Sequence, residues 1–339
     1  MKNNFPLVSI VIPTYNGSKR IAKTLEAIIN QDYENIEIIL VDDVSTDDTV
    51  KVSRKVLEKS KRKFLIIQRT TNGRQSASRN TGLKAANGKY VIFVDHDDLV
   101  ETNYVSLLCN EAEKKNADLV FCGFKHYYVD ENRYEYNYVL KKYPISSSSG
   151  YLKAWAKNEI TFNCVWFFIF NRSFLEDKKL RFNEKCYICE DLEFIPKALA
   201  LSSCTSYVKA TPYIYVHHSE QQSITDIVHR KNYKVYRQEV LAMWRAGRCV
   251  LKNSKDRYVK NFVLCFCITQ RILRFCRLCI EANDHDYYDR ITKTLHHKKI
   301  RRVMFSSLHF IFSEPEIFFK FLIIYYFPNF YYKVRSKNK

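Results

Sequence analysis

Over the first ~125 residues the chain switches repeatedly between two hydrophobic periods. Residues 7–12 form an unbroken apolar run closed by Pro13, and residues 36–41, 64–67, 90–94 and 119–124 repeat the pattern. Runs this short, rich in β-branched and aromatic side chains, predict strands buried on both faces. Between them the period lengthens. Residues 19–30 place Ile21, Leu25, Ile28 and Ile29 on one helical face, and residues 46–57 and 104–115 follow the same spacing. A helix is also predicted from Gly73 through Ser76, Leu83 and Ala86, stopped at Asn87-Gly88. Strands alternating with helices predict an α/β fold with a mostly parallel central sheet flanked by helices. Residues 125–143 are tyrosine-rich and alternating, which predicts an antiparallel excursion, and residues 146–150 read as a loop. Beyond about residue 225 only helical patterns remain, near 227–252, 256–282 and 284–297. The chain is therefore expected to divide into an α/β domain over 1–225 and a helical region over 226–339.

Composition sharpens this division. The 46% hydrophobic content supports a packed core, and seven glycines exclude repetitive or low-complexity folds. No secretory leader is read at residues 1–6, and eleven cysteines at irregular spacing read as reduced thiols of a cytoplasmic protein. Two Cys-x-x-Cys pairs, Cys186/Cys189 and Cys276/Cys279, lack turn glycines and a zinc-ribbon separation, so buried thiols are expected. The net charge of +19 is concentrated late: residues 221–339 hold 24 basic and 9 acidic side chains. That excess implies an anionic partner for the C-terminal third.

The candidate chemistry lies at the ends of the predicted strands. The strand over 90–94 runs straight into Asp95-His96-Asp97-Asp98. Clustered carboxylates repel one another, and a hard divalent cation bridging them to substrate phosphates explains the cluster; a solvated acidic turn is the alternative. Pro13-Thr14-Tyr15-Asn16 and Asp42-Asp43 also follow strands, and ligands of open α/β sheets bind beyond the carboxyl ends of strands. Helix capping accounts equally for Asp43 and Asp47, and dipole compensation for Glu190-Asp191.

Together the segments Val8-Ser9-Ile10-Val11-Ile12-Pro13-Thr14-Tyr15-Asn16, Val41-Asp42-Asp43-Val44-Ser45-Thr46-Asp47, Ala77-Ser78-Arg79-Asn80-Thr81-Gly82, Asp95-His96-Asp97-Asp98 and Glu190-Asp191 resemble a family 2 glycosyltransferase with the GT-A fold, over roughly residues 5–225. The resemblance implies an inverting enzyme that moves a sugar from a nucleoside diphosphate-sugar, UDP-linked in the first instance, to a hydroxyl of a glycan or lipid-linked acceptor in cell-surface polysaccharide synthesis. Pro13, Thr14, Tyr15, Asp43, Arg79, Asp95 and His96 would line the donor site. Asp97 would hold the divalent cofactor, Mn²⁺ or Mg²⁺, and Asp191 would be the general base. Trp166, Glu190 and His217 would lie on the acceptor side, although a core position for Trp166 and a solvated place for His217 compete with that role. Val44 and Cys189 stand where the family usually has glycine. A β-branched Val44 is expected to avoid positive φ and so reshape the loop beside the base, while Cys189 is expected to crowd the acceptor side.

A sugar-phosphate nucleotidyltransferase would want a glycine-rich basic loop after the first strand, and residues 13–19 hold one glycine. A non-catalytic basic scaffold is disfavoured by the acidic clusters. In the C-terminal third, Lys298-Lys299-Ile300-Arg301-Arg302 precedes an aromatic run from Ile317 to Pro328 and a basic tail from Lys333 to Lys339. Basic clusters flanking short aromatic-aliphatic helices predict peripheral attachment at the inner face of the cell membrane, and no nucleic-acid-binding motif accompanies the charge.

Overall fold

The computed structural model describes residues 5–140, 145, 147–157, 159–160, 164–186, 188–218, 233–295 and 315–337. The basic cluster over 298–302 lies outside them. Two compact units form, residues 1–221 and 222–339.

The first unit is built on nine strands: β1 (Val8–Thr14), β2 (Ile36–Asp42), β3 (Lys63–Gln68), β4 (Tyr90–Phe93), β5 (Leu99–Val100), β6 (Leu119–Tyr128), β7 (Arg133–Asn137), β8 (Phe168–Asn171) and β9 (Thr205–His217). They follow the order β3-β2-β1-β4-β8-β6-β9-β5, with β7 paired to β6. Strands β1–β4, β6 and β9 share one direction, and β5, β7 and β8 oppose it. The carboxyl ends of β1, β2, β4, β6 and β9 thus lie along one edge. Every residue of β1 and β4 is buried, as their unbroken apolar runs require.

Helices α1 (Ile21–Ile29), α2 (Thr49–Leu57), α3 (Arg74–Ala85) and α4 (Tyr104–Lys115) follow β1, β2, β3 and β5. Helix α3 crosses β1 closely: a Cβ on Gly82 would lie 2.3 Å from Val11 Cγ1, so glycine sets the depth at which Arg79 is held. Among the described residues of this unit three further helices follow, α5 (Ser148–Ala156), α6 (Arg172–Asp177) and α7 (Glu190–Leu201).

The structure differs from the pattern in three places. Strand β1 runs through Pro13 to Thr14. This is tolerated because the β1–β4 ladder ends at Val11–Phe93, so the missing N–H faces no strand. The serines read as a loop start α5 instead, with Ser147 Oγ accepting from Gly150 N at 3.1 Å as an N-cap. The long helix over 256–282 is a succession, α9 (Arg257–Phe262), a π segment (Val263–Thr269) and α10 (Gln270–Glu281).

The second unit joins these to α8 (Tyr233–Asn253), α11 (His285–Leu295), α12 (Pro315–Tyr326) and α13 (Pro328–Lys337). Cys267, Cys276 and Cys279 are buried thiols within it, none of them in a disulfide. Among the described residues no helix is long and apolar enough to cross a membrane.

Candidate active site

At the sheet edge the loops after β1 and β2 are stitched together. Asn16 N donates to Ser45 Oγ (2.9 Å), Thr46 N to Asn16 Oδ1 (2.8 Å), Gly17 N to Thr49 Oγ1 (2.7 Å) and Ser18 N to Asp47 Oδ2 (3.1 Å). Gly17 lies beneath His96, where a Cβ would come within 2.4 Å of the imidazole. Glycine thus lets the turn after β4 close over β1. Tyr15 is 48% exposed, and Thr14 Oγ1 is buried with no hydrogen-bond partner. This edge therefore offers an aromatic face and an unspent hydroxyl.

Asp43, expected to line the donor site, faces the start of α3. Its buried carboxylate accepts from Gly73 N (3.0 Å) and Arg74 N (2.5 Å) at the start of α3 and pairs with Arg69 Nε (3.0 Å). A carboxylate fits there because the first amides of a helix lack intrahelical acceptors. Val44 overturns the expectation drawn from its β-branch, because it takes φ 68°. Hydrogen bonds on either side, Asp43 N to Thr14 O (2.9 Å) and Ser45 N to Asp42 Oδ2 (3.1 Å), hold the turn that glycine would adopt freely. The strain is about 1–2 kcal/mol, offset partly by the roughly 0.5–1 kcal/mol that glycine would lose in chain entropy. Val44→Gly is therefore expected to stabilise the protein by about 1 kcal/mol, raising Tm by roughly 2–4 °C in a thermal melt. A lower Tm would mean that the valine side chain contributes packing outweighing the strain.

Arg79 organises the centre. It is 1% exposed and stacks 5.3 Å from the centroid of Phe182. One terminal nitrogen, Nη1, donates to Glu190 Oε1 (2.8 Å) and Asp191 Oδ1 (2.9 Å), and Nη2 donates to Asp95 Oδ1 (3.0 Å). One guanidinium thus joins the end of β4 to the start of α7. Cys189, immediately before α7, takes φ 65°, so it too keeps a left-handed turn where glycine was expected. Asp191 Oδ2 accepts from Val165 N at 3.0 Å. Burial pushes the Asp191 carboxyl up to about 7; Arg79 and the Val165 amide pull it down, while Glu190 and Asp95 push it further up. A carboxyl titrating near neutrality suits proton acceptance in a cleft.

The acidic run after β4 separates by role. Asp98 points inward, accepting from Tyr213 Oη (2.7 Å) and Val216 N (2.9 Å), and its carboxyl is driven up by burial and by the charges of Asp97 and Asp95. It latches the turn onto β9. Asp97 is half-exposed, and its charge acts on His218, as do those of Arg20 and Lys23 near the start of α1. Asp95 commits Oδ1 to Arg79, leaving Oδ2 without a protein partner among the described residues. No cluster of three or more His, Cys, Asp or Glu side chains could hold a metal among the described residues. One or two carboxylates completed by diphosphate oxygens is, however, the donor set that Mg²⁺ and Mn²⁺ accept. Asp95 and Asp97 are carboxylates of the type such a shared cation would accept.

Two acceptor-side expectations change. Trp166 is buried, stacked on Tyr213 at 4.2 Å, and its carbonyl accepts from Tyr104 Oη at 2.6 Å, so its indole belongs to the core. His217 Nε2 pairs with His126 Nδ1 at 2.8 Å, and its ring stacks on Tyr128 at 4.4 Å; burial lowers the basicity of both imidazoles. The neighbouring His218 is the histidine under the influence of Asp97. Cys164 and Tyr215, which the sequence reading passed over, lie within the electrostatic reach of these carboxylates. The thiol is raised by burial and by Asp191 and Asp95, the phenol by burial and by Asp98 and Asp97. Neither sits in a motif, so only the fold identifies them.

The protein-family model for glycosyl transferase family 2 matches residues 9–178, half of the chain. The chain is 32% identical over 230 residues to the uncharacterized glycosyltransferase EpsJ of Bacillus subtilis, covering 66% of this chain and 64% of that protein. It is 38% identical over 126 residues to the UDP-Glc:α-D-GlcNAc-diphosphoundecaprenol β-1,3-glucosyltransferase WfaP of Escherichia coli, covering 37% of this chain and 48% of the other. The match therefore spans less than two thirds of either relative. Among solved structures, S. aureus TarS 1–349 superposes with a TM-score of 0.63 at 20% identity, over 94% of this chain and 90% of that one. The same fragment in complex with UDP-GlcNAc gives 0.60 at 19% identity, over 84% and 90%. Fold, motif order and family model agree: the chain belongs to glycosyl transferase family 2.

Proposed function

We propose that the first unit is an inverting, metal-assisted glycosyltransferase. It would move a sugar from a nucleoside diphosphate-sugar, UDP-linked in the first instance, to a hydroxyl of a glycan or lipid-linked acceptor in cell-surface polysaccharide synthesis. The observation that supports this reading is the Arg79 guanidinium joining Asp95 to Glu190 and Asp191, which brings carboxylates from distant segments around one buried group. The UDP-GlcNAc complex of TarS and the diphosphoundecaprenol acceptor in WfaP's name support the donor and acceptor classes.

In this reading Tyr15 and the free Thr14 hydroxyl meet the base, while Asp43 shapes that end of the site through the amides of α3. Pro13 and His96 frame the same end, His96 closing over Gly17. Asp97, with Asp95 beside it, would hold Mn²⁺ or Mg²⁺. The ion, when bound, neutralises the diphosphate as it leaves. Arg20 and Lys23 add positive charge on the same side and, with burial, lower the basicity of His218. Asp191 Oδ1 or Oδ2 takes the proton from the acceptor hydroxyl, and Arg79 and the Val165 amide keep that carboxylate aimed. Single displacement needs no protein nucleophile. The basic second unit would keep the enzyme on the cytoplasmic face of a membrane carrying the acceptor.

Asp97→Ala tests the metal assignment. Calorimetry of UDP with and without Mn²⁺ is expected to show an affinity gain of about tenfold or more in the native protein and none in the variant. An equal Mn²⁺ gain in both would remove Asp97 from the site.

A further inference from the structure

Helices α12 and α13 bury one face and expose the opposite one, although both faces are apolar. Ile324, Tyr325 and Tyr332 are buried, Tyr288 Oη donates to Pro328 O at 2.9 Å, and Tyr332 Oη donates to Asn283 Oδ1 at 3.3 Å. Facing away are Phe319, Ile323, Tyr326, Phe327, Phe330 and Val334, all exposed, with both Phe327 and Phe330 at 63%. Their spacing of 4, 3, 1, 3 and 4 residues is that of a single helical stripe roughly 100° wide. Pro328 does not break the ridge: Phe327 N donates to Ile323 O (2.8 Å) and Tyr331 N to Phe327 O (3.0 Å) across it. The stripe is about 22 Å long at a 1.5 Å rise per residue.

We propose that this stripe is the face by which the second unit lies in the surface of an anionic lipid bilayer. The proposal deepens the membrane-side reading given above and depends on no feature of the transfer site. Three observations favour lipid over a second copy of the chain. At 100° per residue, Lys320 and Lys333 fall on opposite edges of the stripe, where their stems lie along apolar surface and their ammonium groups reach headgroup phosphates. Lys320 also pairs with Glu316 on its own helix. Residues 221–339, which include the stripe, carry 24 basic against 9 acidic side chains, so two copies would repel while an anionic surface attracts. Four aromatic side chains of about 150–250 Å² each, roughly three fifths exposed, together with the two-fifths-exposed Ile323 and Val334, offer roughly 600 Å². That exceeds an ordinary surface patch but falls short of the ~800 Å² per partner of a standard dimer interface.

The test is co-sedimentation of the full chain with vesicles of phosphatidylcholine alone or with about one third phosphatidylglycerol. Binding is expected only to the anionic vesicles and should weaken with salt. Phe327→Glu with Phe330→Glu should lower the partition at least tenfold while calorimetric UDP affinity stays within twofold, which separates this proposal from the transferase reading. Phe330→Trp is a conservative probe, and the emission of the introduced indole should shift to the blue when anionic vesicles are added. The proposal is overturned if the native chain stays in the supernatant at low salt, or if the emission of that indole does not move. It is equally overturned if the double variant binds vesicles as the native chain does, or if light scattering shows that it only converts a dimer to monomers.

Discussion

Asp191→Asn is expected to lower the transfer rate by about 10²–10⁴-fold while leaving donor affinity within about threefold. The amide keeps the shape of the carboxyl, so one oxygen can still face Arg79 and the turn before α7 is undisturbed. What it loses is basicity. The pH dependence sharpens the test, because burial holds the native Asp191 near 7 and a base works only when ionised. Below that value the ionised fraction falls tenfold per pH unit, so native kcat/KM should climb about tenfold per unit up to about pH 7 and then level off. The residual activity of the variant should lack that acid limb. Steady-state rates with a UDP-sugar across pH 5–9 provide the check. A native acid limb near pH 4, or a variant as fast as the native chain, would mean that another group accepts the proton.

Much of the framework is readable from residues alone because it depends on local pattern. The apolar runs of β1, β2 and β4 admit only buried strands, and polar clusters following such strands lie at one sheet edge whenever the strands are parallel. Less visible are features set by tertiary register. Arg79 meets Asp95, Glu190 and Asp191 at separations of 16, 111 and 112 residues, so no window of sequence contains the group. His217 and His218 differ by one position at a strand end, and one position changes the face a side chain takes. The sequence therefore points to the pair but not to the member that feels the charge of Asp97. Val44 shows the opposite failure, in which residue preference is read correctly and overruled. Neighbouring hydrogen bonds fix its turn, and the cost of a left-handed non-glycine is small beside the contacts it preserves. Ser147 caps a helix where a run of serines looked like a loop, because a cap and a turn draw on the same side-chain chemistry.

The second large effect is expected at Arg79. Arg79→Met fills the same volume without charge and strands Asp95, Glu190 and Asp191 around an apolar side chain. Removing one partner of a buried ion cluster costs about 3–5 kcal/mol, more than the capping and turn contributions elsewhere in the unit. At roughly 2–4 °C per kcal/mol, Tm at pH 8 should fall by about 6–20 °C. Arg79 lowers the Asp191 carboxyl, so its removal must raise it further. An acid whose native value lies above its unfolded value of about 3.9 binds more protons folded than unfolded, and the variant therefore gains stability as pH falls. The difference in Tm between native and variant should accordingly shrink between pH 8 and pH 5.5. The same shift predicts that whatever activity survives has its acid limb displaced above pH 7. Arg79→Lys should recover part of the stability but little of the rate, since one ammonium cannot span carboxylates on β4 and α7 in the fixed fork of a guanidinium. Melts at the two pH values and a pH–rate profile distinguish this from a donor-binding role for Arg79. In that case UDP affinity would fall while the pH dependence of Tm stayed that of the native chain.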